Sequence, residues 1–583
     1  MGDNKNFVLF AIISMAILFG YNSLFIEPKM REAERQQQLQ AESQPADSQQ
    51  AEDALAPAEP ATVVSEAPAG PTVQTAAMED AGSIRIETAE LSGSLSLRGA
   101  RFDDLLLLNH MTSLEDDAEN VRLLSKLGTP DAYYARFGWA ASGQSADFVP
   151  GSTSVWAADN ELLTPDSPVT LSWDNGEGIR FLMKVEVDDR FMFTVTQSVI
   201  NSTDEAFQLA PFGMISRKGE PDTDGLYILH EGPIGVFNGT LEEKTYSDLE
   251  DDGNFEVASR GGWMGITDKF WMATLIPDQN ADLSRARMIR RTPGGTPSYR
   301  VDYVQNWQTL PAGGANETTN RLYTGAKIVD AIEDYQAAHN ITLFDRTIDW
   351  GWFWFFTKPI FIGLHWLFGL TGNYGVAILL MTVILKIGLF WFANKSYVSM
   401  AHMKRAQPKI KKLQERYKDD KQKLQQEMMA LYKKDGINPM AGCLPMIPQM
   451  FIFFALYKTL YVTIEMRHQP FFGWITDLAA KDPMTPLNLF GLIPWDPPSV
   501  IAVGIWPILM GLSMYLMQKM NPQSASMDPT QQKIMNFLPL IFTFILANFS
   551  AGLVIYWTWN NILSIGQQWV IMRREEARME AKG

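Results

Sequence analysis

The sequence predicts an α-helical, polytopic membrane protein of six spans joined to a large exported all-β sandwich domain. Apolar runs long enough to cross a bilayer occur near the N-terminus and repeatedly after residue 358. Between them, short stretches with strand-like alternation are punctuated by Gly, Asp and Asn. The charge also changes sign: residues 27–349 hold 25 Lys and Arg against 52 Asp and Glu, whereas residues 350–583 hold 23 against 13. The chain therefore consists of an acidic part and a basic, apolar part.

Residues 1–28 contain the run FVLFAIISMAILFGYNSLFI, about twenty apolar residues, which suffices for one spanning helix. No small-x-small cleavage site follows the run, so we expect an uncleaved signal-anchor. Residues 29–82 are rich in Gln, Ala, Glu, Pro and Ser and nearly lack aromatic residues. Such a segment cannot bury enough apolar surface to offset its ordering entropy, which predicts a disordered linker.

Residues 83–342 are predicted to form the β-sandwich. The stretch 179–201 indicates two strands that are joined at Asp188–Asp189–Arg190. The sequence contains no nucleophile elbow, metal-ligand cluster or Gly-rich phosphate loop, so we expect no enzyme activity, no cofactor and no metal. His230 and Glu231 could form an acid/base pair, but adjacent polar residues are common at strand ends. A binding or spacer domain is therefore the preferred interpretation.

Residues 343–583 are predicted to form a membrane core. The aromatic-rich stretch 343–357 indicates a helix lying in the outer interface. Five further spans follow from apolar runs, at 359–393, 440–464, 499–517, 534–549 and 552–572. The first of these runs contains a Gly-rich interruption at 369–375. The single cysteine, Cys443, is interpreted as a packing residue and excludes an intramolecular disulfide.

Residues 394–439 are predicted to form a helical hairpin. Apolar residues recur there at intervals of three and four, as in a coiled-coil seam: Met403, Ala406, Ile410, Leu413 and Tyr417. Asp419 and Asp420 interrupt the pattern and can cap a second helix. The remaining surface is strongly basic. It is either a solvated face or a docking surface for anionic lipid heads, a ribosome or another acidic partner.

The distribution of basic residues predicts the orientation. Segment 394–440 carries twelve Lys and Arg, whereas loop 465–498 carries only Arg467 and Lys481. Cytoplasmic loops are enriched in Lys and Arg, so the segment and the C-terminal tail are expected inside and the loop outside. Counting back through the spans puts residues 27–349 outside and the N-terminus in the cytoplasm.

Lys386 is a cation about nine residues inside the apolar run 359–393, with no acidic residue nearby in sequence. Its stem could snorkel to the membrane surface, or its amine could face a wet cavity within the bundle. Amide and hydroxyl groups in the spans favour the cavity, because polar groups should converge away from lipid. These groups belong to Thr382, Gln449, Asn560 and Asn561.

The stretches QPKIKKLQERYKDDKQKLQQEMMALYKKDGINPMAGCLPMIPQM (407–450), DPTQQKIMNFLPLIF (528–542) and SAGLVIYWTWNNILSIGQQW (550–569) resemble the YidC family of bacterial membrane protein insertases. The wider family includes the mitochondrial oxidase-assembly insertase. The resemblance covers nearly the whole chain. The long acidic exported domain after an N-terminal anchor is similar to the Gram-negative form of the family. It implies a periplasmic β-supersandwich at 83–342 without known catalysis. It also implies a core bundle of five spans whose groove opens to the cytoplasm and to lipid.

The resemblance also implies a site. Lys386 stands where the family usually has arginine, and Thr382, Gln449 and Asn561 match polar groove positions. Met450 and Tyr556 match spans that the family uses for substrate contact. It implies a multi-pass inner-membrane protein that moves segments of nascent membrane proteins through a hydrated groove, alone or with the Sec translocon.

We expect a functional monomer that does not bind nucleic acid directly. Two other functions remain open: a solute transporter using Lys386 as a substrate site, and a surface sugar-binding protein with an elaborate anchor.

Overall fold

The computed structural model describes residues 82–581, apart from 116, 222, 224–228, 418–419, 436–445, 491–492, 494, 496, 498–501 and 521–528. The predicted signal-anchor and linker therefore lie outside the described residues, as does Cys443. The chain divides into two compact units. The described part of the smaller unit lies within 408–437, and the larger unit takes in Glu66–Gln407 and Asn438–Gly583.

Among the described residues, twenty strands form the first part of the larger unit. In chain order they are β1 Ser83–Glu87, β2 Leu91–Ser96, β3 Arg101–Met111, β4 Asn120–Leu124, β5 Tyr133–Ala141, β6 Ala157–Ala158, β7 Leu162–Leu163, β8 Val169–Asp174, β9 Ile179–Val187, β10 Met192–Asn201, β11 Phe207–Lys218, β12 Gly232–Phe237, β13 Thr240–Glu243, β14 Phe255–Arg260, β15 Trp263–Thr267, β16 Trp271–Ile276, β17 Asp282–Arg291, β18 Ser298–Gln305, β19 Gln308–Leu310 and β20 Ala315–Ala326. The predicted pair at 179–201 is confirmed as β9 and β10, which run antiparallel.

The strands form two sheets. The eleven-stranded sheet has the order β14-β17-β18-β11-β5-β3-β2-β1-β7, with β19 added on β11 and β4 on β3. The nine-stranded sheet has the order β13-β12-β15-β16-β20-β10-β9-β8-β6. Their strands pair antiparallel, except β1 with β7. Both sheets contribute to one hydrophobic core, in which Phe102 of β3 meets Phe193 of β10 at a ring distance of 5.2 Å. The predicted β-sandwich is confirmed.

Alternation of burial explains why these segments form half-buried strands. In β9 the side chains of Ile179, Phe181, Met183 and Val185 are fully buried, whereas the residues between them are partly or fully exposed. A residue period of two places every second side chain on the core face. The other face of the larger sheet is also buried in places, where Tyr134, Phe212 and Met214 belong to a second hydrophobic cluster. There Asp302 is 1% exposed and binds two buried arginines, with Nε of Arg287 at 3.0 Å and Nε of Arg300 at 2.7 Å.

Ten helices are described. They are α1 Tyr246–Asp251, α2 Val329–His339, α3 Trp354–Thr371, α4 Tyr374–Gly388, α5 Phe390–Arg416, α6 Lys421–Lys434, α7 Met446–Val462, α8 Ile505–Met520, α9 Pro529–Leu546 and α10 Ala551–Glu580. Within the described residues, no single helix combines the length and hydropathy expected of a membrane span. Helices α4 and α5, bent by 68° at Leu389, meet that test together.

The apolar run 359–393, predicted as one span, forms two helices before the bend. Gly372 ends α3 with a left-handed φ of 66° while its N–H bonds to the carbonyl of Phe368. Asn373 then begins α4, because its side chain accepts the N–H of Val376. The rings of Phe368 and Tyr374 stack at 4.0 Å, so the chain folds back on itself here. The run therefore does not form one continuous helix, because a left-handed glycine and an Asn cap separate its two helices. The span at 359–393 stays a prediction.

The interfacial helix predicted at 343–357 is also corrected. The chain makes a 3-10 turn at Phe344–Thr347 and then a tight bend, and α3 begins only at Trp354. The bend is fixed by Asp349, whose Oδ1 accepts the N–H of Gly351 at 2.9 Å, and Gly351 has a φ of +75°. The left-handed conformation stops helical hydrogen bonding before the aromatic run ends.

The β-sandwich contacts the helices through several polar links. Glu465, just after α7, accepts the N–H of Val329 at the start of α2, with a distance of 2.7 Å. Lys458 of α7 donates to Oδ2 of Asp349 at 2.6 Å. Arg467 donates to the carbonyl of Met111 at 2.7 Å. The two parts of the larger unit are therefore joined by two half-buried polar contacts and an exposed one.

The smaller unit holds the end of α5 and helix α6. Asp420 caps α6 by accepting the N–H of Lys423, in agreement with the predicted acidic cap. Lys409 and Asp435 form an ion pair at 2.7 Å. Lys411, Lys412 and Arg416 are exposed, so the basic character of this unit lies on its surface.

Candidate functional site

Helix α10 carries a polar stripe through an otherwise apolar segment. Tyr556, Asn560, Ser564 and Gln568 recur every four residues and are all buried, with exposures of 1 to 6%. Residues four apart lie on one helix face. The stripe faces neighbouring helices rather than the surroundings, as expected for polar groups that need partners.

Lys386 of α4 reaches this stripe. Its Nζ donates to Oγ of Ser564 at 2.7 Å, and the Ser564 hydroxyl in turn donates to the carbonyl of Asn560 at 2.8 Å. On the same helix Ile384 and Ile387 are 49% and 70% exposed. The amine therefore points into the helix bundle, while apolar neighbours occupy the outer side of α4.

Two further hydrogen bonds join α10 to other helices. Nε2 of Gln449 in α7 donates to the hydroxyl of Tyr556 at 2.5 Å. Nδ2 of Asn561 donates to Oγ of Ser513 in α8 at 2.9 Å. These hydrogen bonds between side chains join α10 to α4, α7 and α8, and four of the predicted residues take part in them.

Thr382 and Met450 lie apart from these contacts. Thr382 is 1% exposed, and its hydroxyl donates to the carbonyl of Ile378, one turn earlier in its own helix, at 2.7 Å. Although Thr382 shares a helix face with Lys386, its hydroxyl therefore does not bond to the Lys386 amine. The side chain of Met450 is 56% exposed and lies on the outer surface of α7.

The sequence-based prediction did not include Ser564, Gln568 or Ser513. Ser564 holds the amine, and Gln568 donates to the carbonyl of Met520 at 3.1 Å, which again joins α10 to α8. The four-residue spacing from Tyr556 to Gln568 was the signal that could have identified the first two. Ser513 is an isolated hydroxyl in an apolar helix and offers no comparable signal.

The arrangement provides one cation among neutral donors and acceptors. No Asp or Glu in the described part of the chain lies within ion-pairing distance of Lys386. An ammonium group has three donors, and the bond to Ser564 uses one of them. The other two are available to water or to a carboxylate or carbonyl of a bound polypeptide. In the same described residues, no three His, Cys, Asp or Glu side chains cluster as metal ligands would.

His230 and Glu231, considered as an acid/base pair, are both engaged by backbone groups. Nε2 of His230 lies 3.1 Å from the carbonyl of Pro233, and Glu231 accepts the N–H of Lys269 at 3.1 Å. Burial lowers the pKa of His230 to about 4, which leaves the ring neutral near pH 7. Both side chains therefore make structural hydrogen bonds to the backbone at the end of a strand.

Two family models match the chain. One, described as "YidC periplasmic domain", matches residues 83–363, and the other, "60Kd inner membrane protein", matches residues 366–578. A membrane protein insertase YidC from Methylorubrum extorquens is 45% identical over 602 residues, covering all of this chain and 97% of the relative. The corresponding protein of Granulibacter bethesdensis is 45% identical over 585 residues, covering 98% of each chain.

A solved YidC insertase structure is similar over 83% of this chain and 91% of its own, with 15% identity and a TM-score of 0.35.

Proposed function

The chain belongs to the YidC family of membrane protein insertases, and from that premise we propose that it moves hydrophobic segments of nascent proteins from the cytoplasm into the inner membrane. The contact between Lys386 and Ser564 is the observation that carries the mechanistic part of this proposal. It directs a cation with spare donors toward a buried polar stripe rather than toward lipid.

We propose the six-span topology that the charge distribution predicts, with both termini in the cytoplasm and residues 27–349 in the periplasm. One revision follows from the observed helices. Helix α3 carries an exposed apolar stripe of Phe355, Ile362, Trp366 and Leu370, all more than half exposed. Aromatic residues in such a stripe favour the membrane–water interface. Helix α3 therefore takes the outer interfacial position, and α4 with the start of α5 forms the span.

In the proposed mechanism, a client segment enters beside α10 from the cytoplasm. Lys386 and the amide and hydroxyl groups of the stripe donate to polar groups of the client tail while it crosses. A charged group at the bilayer centre otherwise costs about 3 kcal/mol. The hydrophobic segment then moves sideways into lipid, driven by about 0.8 kcal/mol for each methylene that it buries. No nucleotide is required for this sequence of steps.

Partners follow from the same proposal. Nascent membrane proteins are the clients, and the protein works alone or with the Sec translocon. The exposed lysines of the smaller unit support contact with a ribosome or with anionic lipid heads, because clustered positive charge attracts polyanions. Loss of such contacts above about 0.3 M salt would be the expected sign of electrostatic docking.

The test is insertion of a single-span client with an acidic outer tail into vesicles containing the purified protein. Lys386→Ala should slow insertion by roughly 10- to 150-fold, since one charge-assisted hydrogen bond contributes about 1.5–3 kcal/mol. Lys386→Arg should retain most activity because the charge and donors remain. The matched control is Lys395→Ala, which removes an exposed lysine nine residues further on.

Two outcomes would contradict the proposal. In the first, insertion is unchanged in Lys386→Ala but is abolished by deletion of residues 83–340. That result would indicate that the β-sandwich carries out the function. Uptake of a small solute into the same vesicles, abolished by Lys386→Ala, would instead indicate a transporter.

A further inference from the structure

Three helices carry the same pair of side chains near one end of an apolar segment. In each pair an aromatic residue is followed four positions later by Lys or Arg, and the Nζ or Cζ of the cation lies 5.2 to 5.4 Å from the ring centroid. We call these the rim pairs: Trp391 and Lys395 of α5, Tyr515 and Lys519 of α8, and Trp569 and Arg573 of α10. Residues four apart share a helix face, so each ring and its cation form one surface.

The rings of the rim pairs point away from the other helices. Trp391, Trp569 and Tyr515 are 63%, 54% and 41% exposed, and the three cations are exposed as well. On α10 the stripe residue Ser564 is buried instead. The rim pairs therefore lie on the outer surface of the helices, apart from the polar stripe that Lys386 reaches.

Helices α8 and α10 run side by side in the same direction. Ser513 accepts a hydrogen bond from Asn561, and the carbonyl of Met520 accepts one from Gln568, so the partners are 48 positions apart in both contacts. By this offset Lys519 lies level with the residue just before Gln568 on α10. The rim pairs of α8 and α10 are therefore within about two helical turns of each other.

Helix α5 meets the same end of α10. Lys404 pairs with Glu576 at 2.9 Å, and buried residues of 393–401 pack against α10 just before that pair. Lys395 lies nine residues before Lys404, and Arg573 lies three residues before Glu576. The difference of six residues is about 9 Å along the helix axes. All three cations therefore lie in one narrow zone at this end of the helices.

The cations of the rim pairs have no carboxylate within ion-pairing distance among the residues that the structure describes. Neighbouring cations do have one, since Lys404 pairs with Glu576 and Arg578 with Glu575 at 3.5 Å. An aromatic ring attracts the charge, and the N–H donors of the ammonium or guanidinium group stay available to an acceptor. Each rim pair can therefore bind an anion that comes from outside the protein.

We propose that each rim pair binds one anionic phospholipid of the inner leaflet, with the phosphate against the cation and the upper acyl chains against the ring. This inference rests on the proposed function and its topology. There the three cations stand one or two residues beyond the apolar runs that end at 393, 517 and 572, at the level of the cytoplasmic headgroups. Anionic lipids are concentrated in that leaflet, and each nearby Lys or Arg strengthens binding to them about fivefold.

The test counts lipids by native mass spectrometry of the purified full-length protein, titrated in detergent with phosphatidylglycerol or with phosphatidylcholine. The wild type should retain three phosphatidylglycerol molecules and release phosphatidylcholine more readily. Lys395→Gln, Lys519→Gln and Arg573→Gln should each lower the count by one. The triple variant should bind phosphatidylglycerol no more tightly than phosphatidylcholine.

The matched control removes the same charge from another exposed surface, with Arg85, Lys126 and Arg260 of the β-sandwich all replaced by glutamine. It should leave the count at three. Trp569→Leu keeps Arg573 and an apolar side chain but removes the ring, so it should weaken the lipid at Arg573 severalfold and leave the other two in place.

Three results would overturn the proposal. They are equal counts in the wild type and the triple variant, an equal loss in the control, and unchanged binding in Trp569→Leu. Loss of ribosome co-sedimentation in the triple variant, with its lipid count unchanged, would assign the cations to RNA instead of lipid and would also overturn it.

The lipid count is measured without a client, so its failure leaves the insertion result for Lys386 standing. In vesicles of phosphatidylcholine, the insertion assay contains no anionic lipid, so Lys395→Ala loses no bound lipid there and stays a control for Lys386. Loss of the Lys386 effect in those vesicles, with three lipids retained in the titration, would refute the insertion mechanism alone.

Discussion

Replacing Glu465 by glutamine should make the junction between the β-sandwich and the helices insensitive to pH. One carboxylate oxygen of Glu465 accepts the N–H of Val329 at 2.7 Å, and the other is buried with no hydrogen-bond partner in the part of the chain that the structure describes. Burial raises the pKa of Glu465 from 4.5 to about 7, although the Val329 N–H opposes the shift. The nearby charge of Asp330 raises the pKa slightly further.

The sign of the effect follows from proton linkage. The folded protein binds this proton more tightly than the unfolded chain, so the stabilisation is complete below about pH 4.5 and is lost as the pH rises through 7. With 1.36 kcal/mol for each pH unit, the loss is about 3 kcal/mol. Glutamine keeps the acceptor for Val329 and stays neutral at every pH. Near pH 5 the variant and wild type should therefore be about equally stable, and at pH 8 the variant should be more stable.

The assay is thermal unfolding of the full-length protein at pH 5, 6, 7 and 8, with hydrogen exchange at the first turn of α2 as a local readout. At pH 8 the variant should melt about 6 °C above the wild type. The other charged groups nearby, such as Asp330, are present in both proteins, so their effects cancel in the difference. A difference in melting temperature between the variant and wild type that does not change with pH would refute the reasoning. So would a variant that is less stable than the wild type at pH 8.

Asp302→Ala leaves two buried guanidinium groups without their carboxylate, so it should destabilise the β-sandwich by about 3–5 kcal/mol and lower its melting temperature by about 10 °C. Glu87→Ala, which breaks an ion pair exposed by half or more, should change it by less than about 2 °C, and equal shifts would contradict the argument. Gly375→Ala would place a Cβ 2.0 Å from the ring of Phe471 and should cost about 1–3 kcal/mol in thermal unfolding. Gly369→Ala, with no atom within 4 Å of the added Cβ, should leave the stability unchanged or raise it. A larger loss of stability in Gly369→Ala than in Gly375→Ala would contradict this packing argument.

The sandwich was predictable from strand alternation, but its strand order was not. Hairpin neighbours such as β9 and β10 follow directly from the sequence. By contrast, the position of β11 between β5 and β18 depends on contacts among residues far apart in the chain. Period-two alternation identifies the buried face of a strand and says nothing about which distant strand pairs with it.

The site was predictable only in part, for reasons of local chemistry. Lys386 was identified because a cation within an apolar run needs a partner, and Ser564 is that partner. Thr382 was expected beside it, but a hydroxyl on an apolar helix can bond to the carbonyl one turn earlier, and this one does. The break at Gly372 was visible as a Gly-rich interruption. Its consequence was missed because a left-handed φ cannot be read from composition.

The side-chain hydrogen bonds from α10 to Gln449 of α7 and to Ser513 of α8 have a consequence for how these helices can separate. Both bonds join uncharged side chains, and such interhelical bonds average only about 0.6 kcal/mol in membrane proteins. Separating α10 from α7 or α8 at these points therefore leaves no buried charge without a partner, and the backbone of a peptide could replace each lost hydrogen bond. If the protein acts as proposed, a client helix could then enter beside α10 at a small cost in free energy.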